Sequence, residues 1–314
     1  MTEVPEKVRR TAALMGEPGE AWLTGLTQQI AELEQCWAIQ VGQPMRRGSE
    51  AFVAEARTSD GLNAVVKIVV PGIDPTRQEL RVLRAAQGEG YARLIRDHEA
   101  GNAMLLERLG PQLHELQLTE AQQIQIICAT LREAWMAAPE GASFPTGAEK
   151  AVELSRIIES LWISLGQPCA ERTIERALAY AERRRRAFDP ARSVLVHGDA
   201  HEWNTLSAPG SATGFKLVDP DGAFAEPAFD LAIPMREWGS VMPGGDVLRL
   251  GRERCALLAK CTGVAHQPIW EWGLIQCVWN GLSLLRIGLD APAAVELAIA
   301  DAWSAAGDAV ARGP

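Results

Sequence analysis

The feature that most limits how this 314-residue chain can fold is a change of hydrophobic texture near residues 108–111. Before it, apolar residues alternate in short runs. After it, they recur at steps of three and four, the spacing of helices that bury one face. From about 37 to 70 the alternation reads as antiparallel strands, with Ser59-Asp60-Gly61 as a tight turn before the run from Ala64 to Val70. Asp74-Pro75 pairs an N-cap side chain with a proline at the first helical position, so a helix carrying Glu79, Leu80 and Leu83 is expected there. Strands at about 92–97 and 103–107 follow. Upstream, Trp22, Leu26, Ile30, Leu33 and Trp37 form the apolar stripe of a bracing helix over 20–37. In the helical part, Thr119-x-x-Gln122 and Thr146-x-x-Glu149 have the form of capping boxes. That part is interrupted once, at 193–220, by two apolar bursts, Ser193 to Val196 and Phe215 to Val218, each running into polar or acidic residues. The expected architecture is α+β: a small antiparallel-sheet lobe over 1–108 and a larger, mainly helical lobe over 109–314 with a short β insertion.

Composition removes several classes of function. The formal charge is −9, which disfavours a nucleic-acid partner and steers cationic small molecules towards the surface. The opening residues carry charges and prolines where a secretory leader needs an apolar run, and no segment is long and apolar enough to span a bilayer. A cytoplasmic protein with no membrane partner is expected. Six cysteines without a C-x-x-C pair read as reduced, mostly buried thiols. The basic run Arg183 to Arg186 closes a helical stretch, where cations favour the negative end of the helix, and is expected to be solvated.

The residues that carry chemistry follow the two bursts. His197-Gly198-Asp199-Ala200-His201-Glu202-Trp203-Asn204 has the H-x-D-x-x-x-x-N spacing of a kinase catalytic loop. There the aspartate accepts the proton of an attacking hydroxyl, and the asparagine five residues on reaches a magnesium ion. Asp219, at the end of the second burst, is the candidate for a second magnesium ligand. Lys67 stands alone in an apolar strand, and the phosphates of ATP are a good destination for its ammonium. Glu79, twelve residues on, is placed to pair with it. His197 and His201 read as hydrogen-bonding residues that shape the loop. Asp221 reads as a turn carboxylate, and Trp238, Trp270, Trp272 and Trp279 as core.

This set, in this order, resembles the aminoglycoside phosphotransferase group of kinase-like enzymes, and more narrowly the streptomycin 6-kinase and hydroxyurea-resistance kinase family. The likeness runs from GEAWLTGL (19–26) through RRGSEAFVAEAR (46–57), AVVKIVV (64–70), ELRVL (79–83) and MLLERL (104–109). It continues through LVHGDAHEWNTL (195–206) and KLVDPDGAFAEPAFDL (216–231) to IQCVWNGLSLL (275–285). The resemblance implies a protein-kinase-like two-lobed fold and a kinase that uses ATP and Mg2+. Asp199 would be the base, Asn204 and Asp219 would hold magnesium, and Lys67, partnered by Glu79, would meet the phosphates. It further implies that Gly48-Ser49 lies over the phosphates, that the backbone of Glu107 to Leu109 meets the adenine, and that Asp230 buttresses the catalytic loop. The acceptor would be a small, cationic, hydroxyl-bearing molecule such as streptomycin or a related aminocyclitol.

Two departures stand beside the likeness: residues 42–54 hold only two glycines and no G-x-G-x-x-G, and Ala200 occupies a site where the family often has a larger aliphatic residue. Three alternatives remain open at this point. One is a kinase of another small alcohol, of choline, homoserine or fructosamine type. A second is a metal centre built on His197, Asp199 and His201, and a third is a non-catalytic nucleotide-binding module. The oligomeric state is not encoded in any motif.

Overall fold

Strand alternation and helix periodicity sort themselves into two units, Met1–Gly110 and Pro111–Pro314, in a computed structural model. It describes residues 3–307 except 46–47, 49, 73–74, 99–101, 139–143 and 237–245, together with the side chains of 75–77. The sequence candidates Ser49, Asp74 and Trp238 lie outside the described residues.

The first unit runs α1 (Glu6–Leu14), α2 (Glu17–Trp37), β1 (Ile39–Pro44), β2 (Ala51–Thr58), β3 (Asn63–Val69), α3 (Pro75–Ala86), β4 (Leu94–Asp97) and β5 (Ala103–Glu107). The strands form one sheet in the order β1-β2-β3-β5-β4, antiparallel throughout. Side chains alternate between the faces of a strand. One face therefore presents Phe52, Ala54, Val66 and Ile68, which bury against the α2 stripe of Trp22, Leu26, Ile30, Leu33 and Trp37. Lys67 points to the other face, opposite Val53 on β2 and Met104 on β5.

Helix α1 was not anticipated, because the charges and prolines of the opening stretch dominate its composition. Val8 and Ala12, one helical turn apart, are fully buried in the α2 and sheet core. Two buried residues suffice to hold a short helix that has no stripe long enough to read.

The second unit runs α4 (Glu120–Ala134), α5 (Gly147–Ser164), α6 (Glu171–Ala187), β6 (Val194–Val196), β7 (Thr205–Ser207), β8 (Phe215–Leu217), β9 (Ala223–Ala225), α7 (Ala228–Leu231), α8 (Val247–Thr262), α9 (His266–Arg286) and α10 (Asp290–Ala306). Strands β6 and β9 pair antiparallel, as do β7 and β8. Thr119 and Thr146 make both reciprocal bonds of their capping boxes at the starts of α4 and α5. Helix α9 is apolar nearly all round and packs against α5, α6, α7, α8 and α10, which makes it the central rod of this unit. No described helix is long and apolar enough to cross a membrane.

The basic run at the end of α6 differs from its expectation. Arg185 and Arg186 are solvated and pair with Glu182, but Arg184 is only 8% exposed. Its guanidinium lies 2.6 Å from Glu271 of α9 and 3.3 Å from Glu226, while Arg183 reaches Glu271 at 2.5 Å. Helical phase turns these two arginines towards α9, where a fully buried glutamate requires a cation.

Candidate active site

Strand β6 delivers the chain into the loop 197–204, and a buried carboxylate sets the loop's shape. Asp230, on α7 and completely buried, accepts from the backbone N–H of His197 (3.0 Å), that of Gly198 (2.7 Å) and the indole of Trp135 (2.8 Å). Burial raises the pKa of Asp230, opposed by the nearby His197 and by these three donors. Gly198 has φ +91, and a Cβ there would stand 2.9 Å from the Cβ of Asp221, so the position accepts only glycine.

His197 is tied at both ring nitrogens. Its Nδ1 accepts from the N–H of Asp199 at 3.1 Å, which leaves Nε2–H to donate to the Val218 carbonyl at 2.8 Å. Its own carbonyl accepts from Asp221 and Gly222. The imidazole therefore staples the loop to the strand that carries Asp219, and it has no lone pair left for a metal. Among the described residues, no group of three or more His, Cys, Asp or Glu side chains is arranged to hold a metal ion.

Asp199 is surrounded by donors. Oδ1 accepts from Arg236 at 3.2 Å; Oδ2 accepts from His201 Nε2 at 3.2 Å and lies 3.4 Å from Asn204 Nδ2. Asn204 Nδ2 also donates to the Asp199 carbonyl at 3.1 Å, which turns its amide oxygen to the opposite side. Desolvation works against ionisation of Asp199. The hydrogen bond and charge of His201, with Arg236 and His197, outweigh it and hold the carboxyl well below the usual carboxylate range. The result is an ionised, partly exposed carboxylate with lone pairs to spare for an incoming hydroxyl.

Asp219 follows β8 in the left-handed region, φ +57, a conformation that aspartate tolerates better than most residues. It is exposed, as is Asp221. Exposed Asp219 and the amide oxygen of Asn204 are hard oxygen donors, the type that suits magnesium. In the first unit, Lys67 Nζ bonds both carboxylate oxygens of Glu79, at 2.8 and 2.7 Å, with side chains only 14% and 7% exposed. Glu107 ends β5, where its N–H and carboxylate both bond the backbone of Arg93. Leu109 follows outside any helix or strand and is half-buried.

A cavity of about 360 Å3 opens on Asp199 within the second unit. Its walls are one face of α5, with Lys150, Glu153, Leu154 and Ile157, and one face of α9, with Gln276, Trp279 and Asn280. None of these was identified from sequence apart from Trp279, which was read as core; Trp270 and Trp272 are buried, whereas Trp279 shares the cavity face of α9. Arg236 was missed as well. A usable signal existed in α9, since Gln276 and Asn280 are carboxamides one turn apart in an apolar helix.

The fold and this loop define a class: the protein-kinase-like phosphotransferases. A choline kinase from Streptococcus pneumoniae superposes with a TM-score of 0.61 at 14% identity, over 90% of this chain and 99% of that one. The chain belongs to the family described as aminoglycoside/hydroxyurea antibiotic resistance kinase, whose model matches residues 36–286, and is a small-molecule kinase of the aminoglycoside phosphotransferase type. It is 28% identical to a streptomycin 6-kinase of Streptomyces griseus over 91% of this chain and 92% of that protein. A hydroxyurea phosphotransferase of Kitasatospora aureofaciens is 26% identical over 96% and 86%, respectively.

Proposed function

We propose that this protein moves the γ-phosphoryl group of ATP to a hydroxyl of a small cationic molecule, streptomycin or a related aminoglycoside or aminocyclitol, in the cytoplasm. The observation that carries this is Asp199: a carboxylate held ionised by its neighbours, at a cavity of small-molecule size, on the loop that also holds Asn204. Asp199 accepts the proton of the acceptor hydroxyl and orients its oxygen for in-line attack. Lys67, fixed by Glu79, holds the nucleotide phosphates, and Glu107 and Leu109 flank the adenine. Asn204 and Asp219 are the residues that would hold Mg2+, which when bound offsets phosphate charge. Arg236 and His201 keep the base ionised. The cavity carries three carboxylates, Glu153, Asp199 and Asp221, beside Lys150, His201 and Arg236, and an acceptor with N–H donors can meet those carboxylates.

The test is an incubation of purified protein with Mg-ATP and a panel of streptomycin, other aminoglycosides, hydroxyurea, choline and homoserine. ADP release and acceptor mass are followed, with Asp199→Ala in parallel. Phosphorylated streptomycin that disappears in the variant is the expected result. Asp199-dependent turnover on choline or homoserine alone would replace the acceptor and keep the mechanism. No Asp199-dependent turnover on any acceptor would sink the kinase chemistry and favour a nucleotide-binding module.

A further inference from the structure

Helix α9 holds a polar group that the fold itself does not use. Gln276 is 4% exposed, and its Oε1 is buried with no hydrogen-bond partner among the described residues, although the side chain lines the same cavity as Asp199. A buried carbonyl without a donor destabilises the empty protein, so a residue in that condition calls for a reason. Leucine would fill the same space in this apolar helix at no such cost. Asn280 lies one turn further along, on the same cavity. Its amide is not adrift: Nδ2 donates at 2.9 Å to Glu296 of α10, a carboxylate 3% exposed that also accepts from Cys277 Sγ at 3.0 Å. One carboxamide is thus braced from behind, and its neighbour lacks a donor.

We propose that Gln276 and Asn280 form the recognition pair for the acceptor, selecting a molecule that carries N–H donors, guanidino or amino, close to the hydroxyl addressed by Asp199. This rests on the kinase reading above and gives that site its selectivity. Gln276 Oε1 accepts from the incoming N–H; the terminal torsion of a glutamine is soft, so the amide turns to meet the donor. Asn280 supplies a second, pre-oriented polar contact, with Glu296 as its positioning residue. Trp279, between them in sequence and on the same cavity, offers a ring face to the cationic group. The design is one in which binding completes a hydrogen bond missing from the empty protein, so molecules without the N–H are rejected more strongly than a merely apolar pocket would reject them.

The test titrates streptomycin, as the guanidino probe, into wild type, Gln276→Leu and Gln276→Glu by calorimetry, with KM values for acceptor and ATP measured in the Mg-ATP assay and thermal unfolding recorded for each protein. Gln276→Leu should weaken acceptor binding by roughly tenfold to a hundredfold, the worth of one hydrogen bond from a charged donor. Gln276→Glu, which keeps the acceptor oxygens, should stay within about threefold of wild type. The KM for ATP should not move, and Gln276→Leu should unfold at the same or a higher temperature, since it removes an unsatisfied group. Equal affinity in wild type and Gln276→Leu overturns the proposal. So does a lowered unfolding temperature in Gln276→Leu with matching losses for ATP and acceptor, the mark of a structural amide. Asp199-dependent turnover with an unchanged acceptor KM in Gln276→Leu would remove this inference alone and leave the kinase intact. A wild type that binds no amino or guanidino compound and shows no Asp199-dependent turnover on any acceptor would remove both.

Discussion

Replacing Glu79 by glutamine should cost the protein about 3 kcal/mol, and the reasoning runs through the environment of Lys67. At 2.7 Å and an effective dielectric of about 20, the Lys67–Glu79 attraction is about 6 kcal/mol. Desolvating two ions that are 14% and 7% exposed cancels most of that, because each costs several kcal/mol. The intact pair therefore adds little net stability. Removing the carboxylate charge leaves the buried ammonium to bear its desolvation without that attraction, the situation in which losses of about 3–5 kcal/mol are met; the amide of glutamine recovers part of it. Urea and thermal unfolding of wild type, Glu79→Gln, Lys67→Met and the double variant Lys67→Met/Glu79→Leu would measure this. Glu79→Gln should unfold about 6 °C or more below wild type. The double variant should lie within about 1 kcal/mol of wild type while remaining unable to turn over ATP. A Glu79→Gln variant within about 0.5 kcal/mol of wild type would refute the buried-pair reasoning, because surface pairs behave that way. Restored turnover in the double variant would refute the assignment of Lys67 to the phosphates.

Three further outcomes are expected. Arg236→Gln should move the acidic limb of kcat/KM upwards in pH, since Arg236 helps to depress the pKa of Asp199. A depressed folded pKa means that the stability supplied by Asp199 is present above the unfolded carboxylate value and lost as pH falls through the folded one. That loss should therefore be smaller and end at a higher pH in the variant, and superimposable pH profiles would refute the role of Arg236. Thr146→Ala, which removes the side chain that accepts from Glu149 N–H at the start of α5, should cost about 1 kcal/mol in urea unfolding. Gly19→Ala should cost about 1–3 kcal/mol, because the new Cβ would fall 1.9 Å from the carbonyl oxygen of Ala12 and push α1 from α2. Its control, Gly25→Ala on an open face of the same helix, should gain about 0.5–1 kcal/mol in the same thermal scan.

Local spacing was enough for a large part of this protein. The α2 stripe, the strands of the first unit, the starts of α4 and α5 and the strand-like bursts at β6 and β8 all rest on rules that reach no further than four residues along the chain. Asp199 and Asn204 come together for the same reason, since five residues of one tight loop leave them little choice. Lys67 and Glu79 were legible because a lone lysine in an apolar strand implies a partner on the next helix.

The tertiary structure alone decided the rest. Arg236 meets Asp199 from thirty-seven residues away, and Arg184 meets Glu271 across two helices. No sequence pattern distinguishes those arginines from solvated ones, because their burial depends on the rotation of one helix against another. The same holds for the cavity. Lys150 to Ile157 and Gln276 to Asn280 each show a helical stripe, but whether a stripe closes a core or lines an opening depends on what the opposing elements leave unfilled. Residue types and their periods thus determined most of the elements and the loop 197–204, whereas packing determined which polar groups face Asp199, because a side chain's surroundings are a property of the assembled helices and not of its neighbours in the chain.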